Sequence, residues 1–179
     1  AIEGNTLTLR ETDMVLRGLT IDQKPLKDHM EAVGHKEAFY FVVDLVKENA
    51  ELTEYVIKQI HSLVLADKPM DKGTYRKVPV RILGAHHEPV QPYMIEPKMN
   101  ELLLDFKNDN RNIAEKLAIF HIVFEGIHPF IDGNGRTGRG IKSDDGIKQA
   151  HRHNRWCAFI ICSVFVSNGY SGNNYQPHR

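Results

Sequence analysis

The chain has 179 residues, enough for one domain with a substantial hydrophobic core. Its 23 basic and 23 acidic residues cancel to a net charge of zero, so composition gives no overall signature of nucleic-acid or membrane-surface binding, and neither partner is expected. The longest apolar run, residues 156–166, is much shorter than the roughly 20 residues that a bilayer span needs.

The two cysteines, Cys157 and Cys162, lie within that apolar run and match no zinc or disulfide framework. We therefore expect buried thiols in a reducing compartment. No signal peptide opens the chain, so the expected location is cytoplasmic. The first residue, Ala1, is not a methionine, which indicates the beginning of a fragment.

Five helices are predicted along the first 127 residues. The first covers residues 9–16, with Asn5 or Thr8 as its N-cap. Apolar residues at helical spacing predict four more, with Thr53 as a suitable cap for the second of them. Their ranges are 27–49, 53–66, 95–106 and 113–127. His61 is expected to be a packed or rim residue and not a ligand.

Residues 78–82 show the alternation of a short strand, with Val78, Val80 and Ile82 on one face. Pro79 cannot donate to a ladder, so the strand is predicted as an edge or one arm of a hairpin that returns through residues 84–92.

Residues 128–139 read His-Pro-Phe-Ile-Asp-Gly-Asn-Gly-Arg-Thr-Gly-Arg, a combination poorly suited to a hydrophobic core. The run Gly133-Asn134-Gly135 allows positive φ and can present successive N–H groups to an anion. A helix starting just beyond would add its own free N–H groups and dipole. Phe130 or Ile131 could anchor the loop. This segment predicts phosphate chemistry, against the simpler alternative of a Gly/Asn turn with solvated charges.

Four side chains of this segment suit that chemistry. His128 titrates near neutral pH and can accept a proton from a hydroxyl group, and Pro129 predicts extended backbone at His128. Asp132 is a hard oxygen ligand suited to Mg²⁺. Arg136 and Arg139 are three residues apart and, on a helix, would offer two guanidinium forks from one face.

Residues 128–139 match at every defined position the signature His-Pro-Phe-x-Asp-Gly-Asn-Gly-Arg-x-x-Arg, so the chain resembles Fic domains. Members of that family are mostly helical and usually transfer AMP from ATP to a Ser, Thr or Tyr hydroxyl of a protein. The resemblance implies a mainly α fold, a Fic-like helical bundle with a short β-hairpin flap. It also implies ATP and Mg²⁺ as cofactors and a protein substrate, and it leaves a homo-oligomer open.

By the same resemblance, His128 is the base that acts on the target hydroxyl and Asp132 holds Mg²⁺. The backbone of Gly133, Asn134 and Gly135 cradles the α- and β-phosphates, while Arg136 and Arg139 grip the β/γ end. Gly135 and the final arginine also differ from the Doc type of kinase, which typically has Lys at the former position and lacks the latter.

Two further segments gain a role from the resemblance. Val80, Arg81, Ile82 and Leu83 correspond to the flap, which holds a target segment by strand addition. Glu3-Gly4 followed by Asn5 matches the second half of the motif Ser/Thr-x-x-x-Glu-Gly/Asn of Fic proteins with an N-terminal inhibitory helix. In that class the glutamate, here Glu3, pairs with the last arginine of the loop, here Arg139.

The expected organisation is a single Fic domain over residues 1–179, with an inhibitory segment at 1–18 and a core at 19–139. Residues 140–179 depart from the family pattern of a leucine-rich helix. Two alternatives therefore stay open: another Fic reaction, such as removal of AMP or use of a different donor, or a binding module whose pocket has lost catalysis.

Overall fold

The computed structural model describes residues 4–82 and 88–141. Their helices are α1 (Leu9–Leu16), α2 (Leu26–Lys47), α3 (Glu54–Val64), a 3₁₀ turn (Pro92–Met94), α4 (Ile95–Asn108) and α5 (Ile113–Ile127). A further helix, α6, begins at residue 134 and is described as far as residue 141. The predicted mainly helical class is confirmed. None of the helices in these two ranges has the length and apolar character needed to cross a bilayer.

Side-chain caps begin three of the helices close to where local sequence predicts them. Thr8 and Glu11 form a reciprocal capping box at α1: Thr8 Oγ1 accepts from the Glu11 N–H, and Glu11 Oε2 accepts from the Thr8 N–H. Thr53 caps α3 and Asn112 caps α5 through one bond each, in which the side chain accepts from the backbone N–H three residues further on. Of the two candidates for the first cap, Thr8 is therefore the residue used.

The main core lies between α2, α3, α4 and α5 and is closed by the loop that follows α5. Aromatic rings from α5 and the loop fill its centre, and aliphatic side chains surround them. Its fully buried members include Val42, Ile57, Ile60, Met99, Phe120, Phe124 and Phe130. Phe130 anchors the loop, whereas Ile131 is 41% exposed. The loop that carries the predicted site is thus attached to the centre of the core.

The backbones of α2 and α3 approach each other directly at Gly34. A β-carbon at position 34 would lie 2.2 Å from the carbonyl oxygen of Leu63, a distance that atoms do not tolerate. A glycine is therefore required at this crossing, and α3 is held close against α2.

The predicted hairpin flap is not confirmed, because the described residues 78–82 and 88–90 have irregular backbone and residues 83–87 lie outside the described ranges. The Arg76 guanidinium donates to the carbonyl oxygens of Val78 and Val90, one on each side of the gap. Those two carbonyl groups are thus bound by a side chain and not by a neighbouring strand, and Pro79 has no N–H to offer.

Candidate functional site

His128 ends α5 and begins the loop of residues 128–133. Its backbone is left-handed, with φ 52° and ψ 61°, and its N–H donates to the Phe124 carbonyl at 2.9 Å. The expectation of extended backbone before Pro129 was wrong, because the terminal turn of the helix closes through a left-handed cap. A non-glycine residue in this region costs on the order of 1–3 kcal/mol, so the surrounding structure must impose the conformation.

The loop is closed on itself by the side chain of Asn134. Asn134 Nδ2 donates to the Phe130 carbonyl at 2.8 Å, and Asn134 Oδ1 accepts from the Phe130 N–H at 2.9 Å. The amide side chain is therefore used inside the loop. What residues 134 and 135 can offer an anion is their backbone, since the first N–H groups of a helix have no acceptor within it. The Gly133 N–H instead donates to Asp132 Oδ1 at 2.6 Å.

His61 of α3 packs against the loop on its core side. Its ring stacks on Phe130 with centroids 3.6 Å apart, and its Nδ1 accepts from the Gly73 N–H at 2.8 Å. Nε2 therefore carries the proton and donates to the Asp132 carbonyl at 3.0 Å. Burial is the main reason that the pKa of His61 is lowered to about 4. The expectation of a packed histidine is confirmed.

This buried imidazole predicts a pH dependence of stability. The unfolded chain binds the His61 proton with an ordinary pKa of 6.5 and the folded chain with one of about 4. Neutral His61 therefore contributes fully to the free energy of unfolding above pH 6.5. This contribution is lost as the pH falls from 6.5 towards 4, by about 3 kcal/mol at most. Urea unfolding of the wild type and of His61→Gln at several pH values measures it. The variant should be less stable at neutral pH and show a weaker pH dependence; an equal dependence would contradict this prediction.

Asp132 is ionised and held by three donors. Oδ1 accepts from the Gly133 N–H and from Arg136 Nη2, the latter at 3.3 Å, while Lys68 Nζ lies 2.5 Å from Oδ2. Burial acts to raise the pKa of Asp132, but the hydrogen bonds from Lys68 and Gly133 and the charge of Arg136 together lower it to about 2.

The donor set at Asp132 suits a magnesium ion that arrives with phosphates. Among the described residues, no group of three or more His, Cys, Asp or Glu side chains could hold a metal on its own. Mg²⁺ often binds one or two carboxylates and takes its other ligands from phosphate oxygens and water. One ionised, partly exposed carboxylate beside a helix N-terminus fits that second kind of site.

The two arginines of α6 have different surroundings. Arg136 is 4% exposed and turned inwards, with Nη1 3.2 Å from Glu31 Oε1 and Nη2 3.3 Å from Asp132 Oδ1. Arg139 is partly buried, one turn further along α6. The predicted phosphate-binding arginines are thus carried by one helix, with Arg136 facing the protein interior.

Glu31 of α2 joins the N-terminal segment to the loop, a connection that sequence reasoning missed. This buried carboxylate pairs with Arg136 through Oε1 and accepts from Asn5 Nδ2 through Oε2 at 3.2 Å. Asn5 Nδ2 also donates to the Asp28 carbonyl at 3.0 Å. The residues just after Glu3 are therefore close to Arg136, although Glu3 itself lies outside the described ranges.

Arg76 was also missed as part of the site. Its backbone N–H donates to the Pro129 carbonyl at 2.9 Å, and its Nε donates to the His128 carbonyl at 2.8 Å. The same guanidinium binds Val78 and Val90, as described above, so one side chain fastens the segment on either side of the predicted flap to the start of the loop.

The ring of His128 is mostly buried, with Nδ1 4.0 Å from Glu125 Oε2. Burial is the main cause that lowers its pKa, and the Arg76 cation acts in the same direction, against the Glu125 carbonyl and the Asp132 charge. At neutral pH the imidazole is therefore uncharged and able to accept a proton.

The predicted flap residues are only partly described. Val80 and Ile82 are half-buried, and Arg81 is exposed with its Nη2 3.3 Å from Glu88 Oε1. Leu83 lies outside the described ranges.

Comparison with known proteins connects this geometry to a family. A model of the Fic/DOC family matches residues 51–141. The chain is 34% identical over 147 residues to protein adenylyltransferase fic-1 of Caenorhabditis elegans, covering 78% of this chain and 28% of that protein. It is 34% identical over 145 residues to protein adenylyltransferase Fic of Nematostella vectensis, covering 78% and 34%. The chain thus spans about a third or less of the length of these relatives.

Solved structures agree on the fold. A Fic domain containing signaling protein from Bacteroides thetaiotaomicron superposes with a TM-score of 0.75 at 27% identity, covering 82% of this chain and 59% of that one. The C. elegans Fic-1 structure gives a TM-score of 0.73 at 31% identity, covering 83% and 45%. The residues that the family model matches contain α3, α4, α5, the left-handed His128 and the loop into α6. On this combined sequence and structural similarity the chain belongs to the Fic/DOC family.

Proposed function

We propose that the chain is a protein adenylyltransferase that moves AMP from ATP to a Ser, Thr or Tyr hydroxyl of a target protein. The observation that carries this proposal is the short loop between α5 and α6. It has an uncharged, mostly buried imidazole at one end, an ionised carboxylate in the middle and a helix N-terminus at the other end. The names of the relatives point to the same reaction.

In this reaction His128 takes the proton of the target hydroxyl as its oxygen attacks the α-phosphorus of ATP. A bond forms between that oxygen and phosphorus, and the bond from the α-phosphorus to the bridging oxygen of the β-phosphate breaks, so pyrophosphate leaves. Most of the rate enhancement in such transfers comes from positioning and charge neutralisation. Asp132 would hold Mg²⁺, which supplies positive charge to the phosphates when bound.

The remaining site residues are proposed to bind the nucleotide. Within the run Gly133–Gly135, the backbone N–H groups of Asn134 and Gly135 at the start of α6 would receive the α- and β-phosphates, and Gly133 provides the tight turn before them. Arg139 is the group proposed for the β/γ end. Arg136 adds positive charge beneath the loop while its guanidinium orients Asp132. This places the phosphates over the amino end of one helix.

The flap and the inhibitory segment belong to the same proposal. Residues 80–83 would hold a target segment by backbone pairing, supported by the Arg76 contacts that fix the neighbouring residues to the His128 carbonyl. Glu3 would pair with Arg139 and repel the nucleotide, supported by the attachment of Asn5 to the Glu31–Arg136 pair. We propose residues 1–179 as one Fic domain, with residues 1–18 as its inhibitory segment, 19–139 as its core and 140–179 as its divergent part.

Mass spectrometry of the protein after incubation with ATP and Mg²⁺ tests the proposal. Glu3→Gly should gain one AMP per modified hydroxyl faster than the wild type, because the proposed block on the phosphate pocket is gone. The double variant Glu3→Gly/His128→Ala is the matched control and should gain none. Absence of modification in every sample, with a range of protein targets added, would overturn adenylyl transfer. Loss of AMP from a previously modified target would favour the removal reaction in its place.

A further inference from the structure

Lys68 places an ammonium group on the carboxylate assigned to the metal. It lies in the loop after α3, and its Nζ is 2.5 Å from Asp132 Oδ2, although 64 positions separate the two residues. The loop and α6 hold the other oxygen, since Oδ1 accepts from the Gly133 N–H and from Arg136 Nη2. Oδ2 is therefore the oxygen left for a ligand from outside the loop, and Lys68 occupies it.

This ion pair has the character of an exchangeable contact and not of a structural one. The side chains of Lys68 and Asp132 are 37% and 39% exposed, respectively. Ion pairs exposed to that extent contribute little to the free energy of unfolding, so breaking this pair costs the fold little. The Arg136–Glu31 pair behind it, with side chains 4% and 3% exposed, is the structural one. Breaking the Lys68 contact would thus leave the loop in place, held by Arg136 and Glu31.

We propose that Lys68 is a built-in competitor of the divalent cation at Asp132, occupying Oδ2 in the nucleotide-free protein and leaving it when Mg²⁺ arrives with the nucleotide. This inference rests on the proposed function, because it takes Asp132 as the metal ligand. As a consequence, the dissociation constants for metal-bound and metal-free nucleotide should differ less in this protein than they would if Asp132 had no lysine beside it. Free nucleotide meets a neutralised Asp132, whereas the metal complex must first displace Lys68.

Calorimetric titration with ATP in excess Mg²⁺ and with ATP in EDTA tests the proposal without any turnover. Lys68→Ala should raise the ratio of the two dissociation constants, EDTA over Mg²⁺, by on the order of fivefold, which is the fold-change that corresponds to about 1 kcal/mol. Lys72→Ala is the matched control, because it removes an exposed lysine four positions away in the same loop. Its ratio should equal that of the wild type. A ratio that stays unchanged in Lys68→Ala, or that shifts equally in both variants, would overturn the proposal.

A second measurement keeps the test independent of nucleotide binding. Mn²⁺ favours the same oxygen ligands as Mg²⁺ and broadens nearby amide signals in nuclear magnetic resonance spectra. It is added with a constant excess of inorganic pyrophosphate, which supplies the phosphate oxygens that this site needs. Broadening of the Gly133 amide should occur at severalfold lower Mn²⁺ in Lys68→Ala than in the wild type or Lys72→Ala. Equal Mn²⁺ dependence in all three proteins would overturn the role of Lys68. Absence of ATP binding in the wild type and in Lys72→Ala, with the shifted Mn²⁺ dependence present, would instead count against the proposed adenylyl transfer.

Discussion

Replacing Glu31 by glutamine is expected to lower the free energy of unfolding by about 3 kcal/mol, at the lower end of the range for breaking a buried ion pair. The variant leaves the Arg136 guanidinium buried without its main counter-charge, since only the Asp132 carboxylate, at 3.3 Å, remains beside it. It also weakens the hydrogen bond from Asn5 Nδ2. Urea unfolding at neutral pH, followed by circular dichroism, measures the loss.

A matched control lies on the same helix. Glu37 is an exposed glutamate of α2, and Glu37→Gln should change the free energy of unfolding by less than about 0.5 kcal/mol. If Glu31→Gln were as stable as Glu37→Gln, a structural role for the buried Glu31–Arg136 pair would be contradicted. Limited proteolysis adds a second readout, because loss of the Asn5 contact should expose the segment before α1 to cleavage sooner than in the control.

Replacing His128 is expected to lower the rate of AMP transfer by a factor of about 10² to 10⁴, the usual contribution of a positioned general base. The test is best made in the Glu3→Gly background, with the rate of self-modification as the readout. ATP affinity should stay within severalfold of the parent, because the proposed phosphate contacts come from α6 and not from His128. A rate within a factor of three of the parent would remove His128 from the reaction.

The left-handed backbone of His128 determines which substitution removes the imidazole without also destabilising the fold. Alanine at φ 52° carries the steric cost of its β-carbon, whereas asparagine tolerates this conformation. His128→Asn should therefore match the parent in stability and still lose transfer, which separates chemistry from folding. Since burial lowers the pKa of His128, the parent should also keep its activity at pH values below the ordinary titration range of histidine, and lose it only when the ring becomes charged.

Local sequence was sufficient for the helices, but it did not decide which residue attaches the loop to the core. Thr8 and Thr53 act through residues three positions away, so their caps follow from sequence alone. Phe130 is buried and Ile131 is not, a choice that the sequence left open because it depends on the core that the loop meets. The hairpin was harder to predict from local sequence, because a hairpin needs a partner strand. In the structure the Val78 and Val90 carbonyls accept from Arg76 instead.

The supporting residues of the site could not be predicted because their partners are distant along the chain. Lys68 meets Asp132 across 64 positions, Glu31 meets Arg136 across 105, and Arg76 meets His128 across 52. A charged residue on a helix or in a loop is normally exposed to solvent. Nothing in the local sequence distinguishes Lys68, Glu31 and Arg76 from the exposed charged residues around them. The one local rule that gave the wrong result, extended backbone before proline, was overridden by the helix cap at His128.

The crossing of α2 and α3 at Gly34 has a consequence for variation at a distance. Any larger residue there would force Leu63 outwards, and His61, on the same turn of α3, would be carried away from Phe130 and from the Asp132 carbonyl. A substitution at position 34, which lies away from the proposed nucleotide site, would then weaken the contacts that His61 makes to the loop. A single methyl group added at position 34 would thus disturb the candidate site without touching it, and the geometry of the loop limits which residues this crossing accepts.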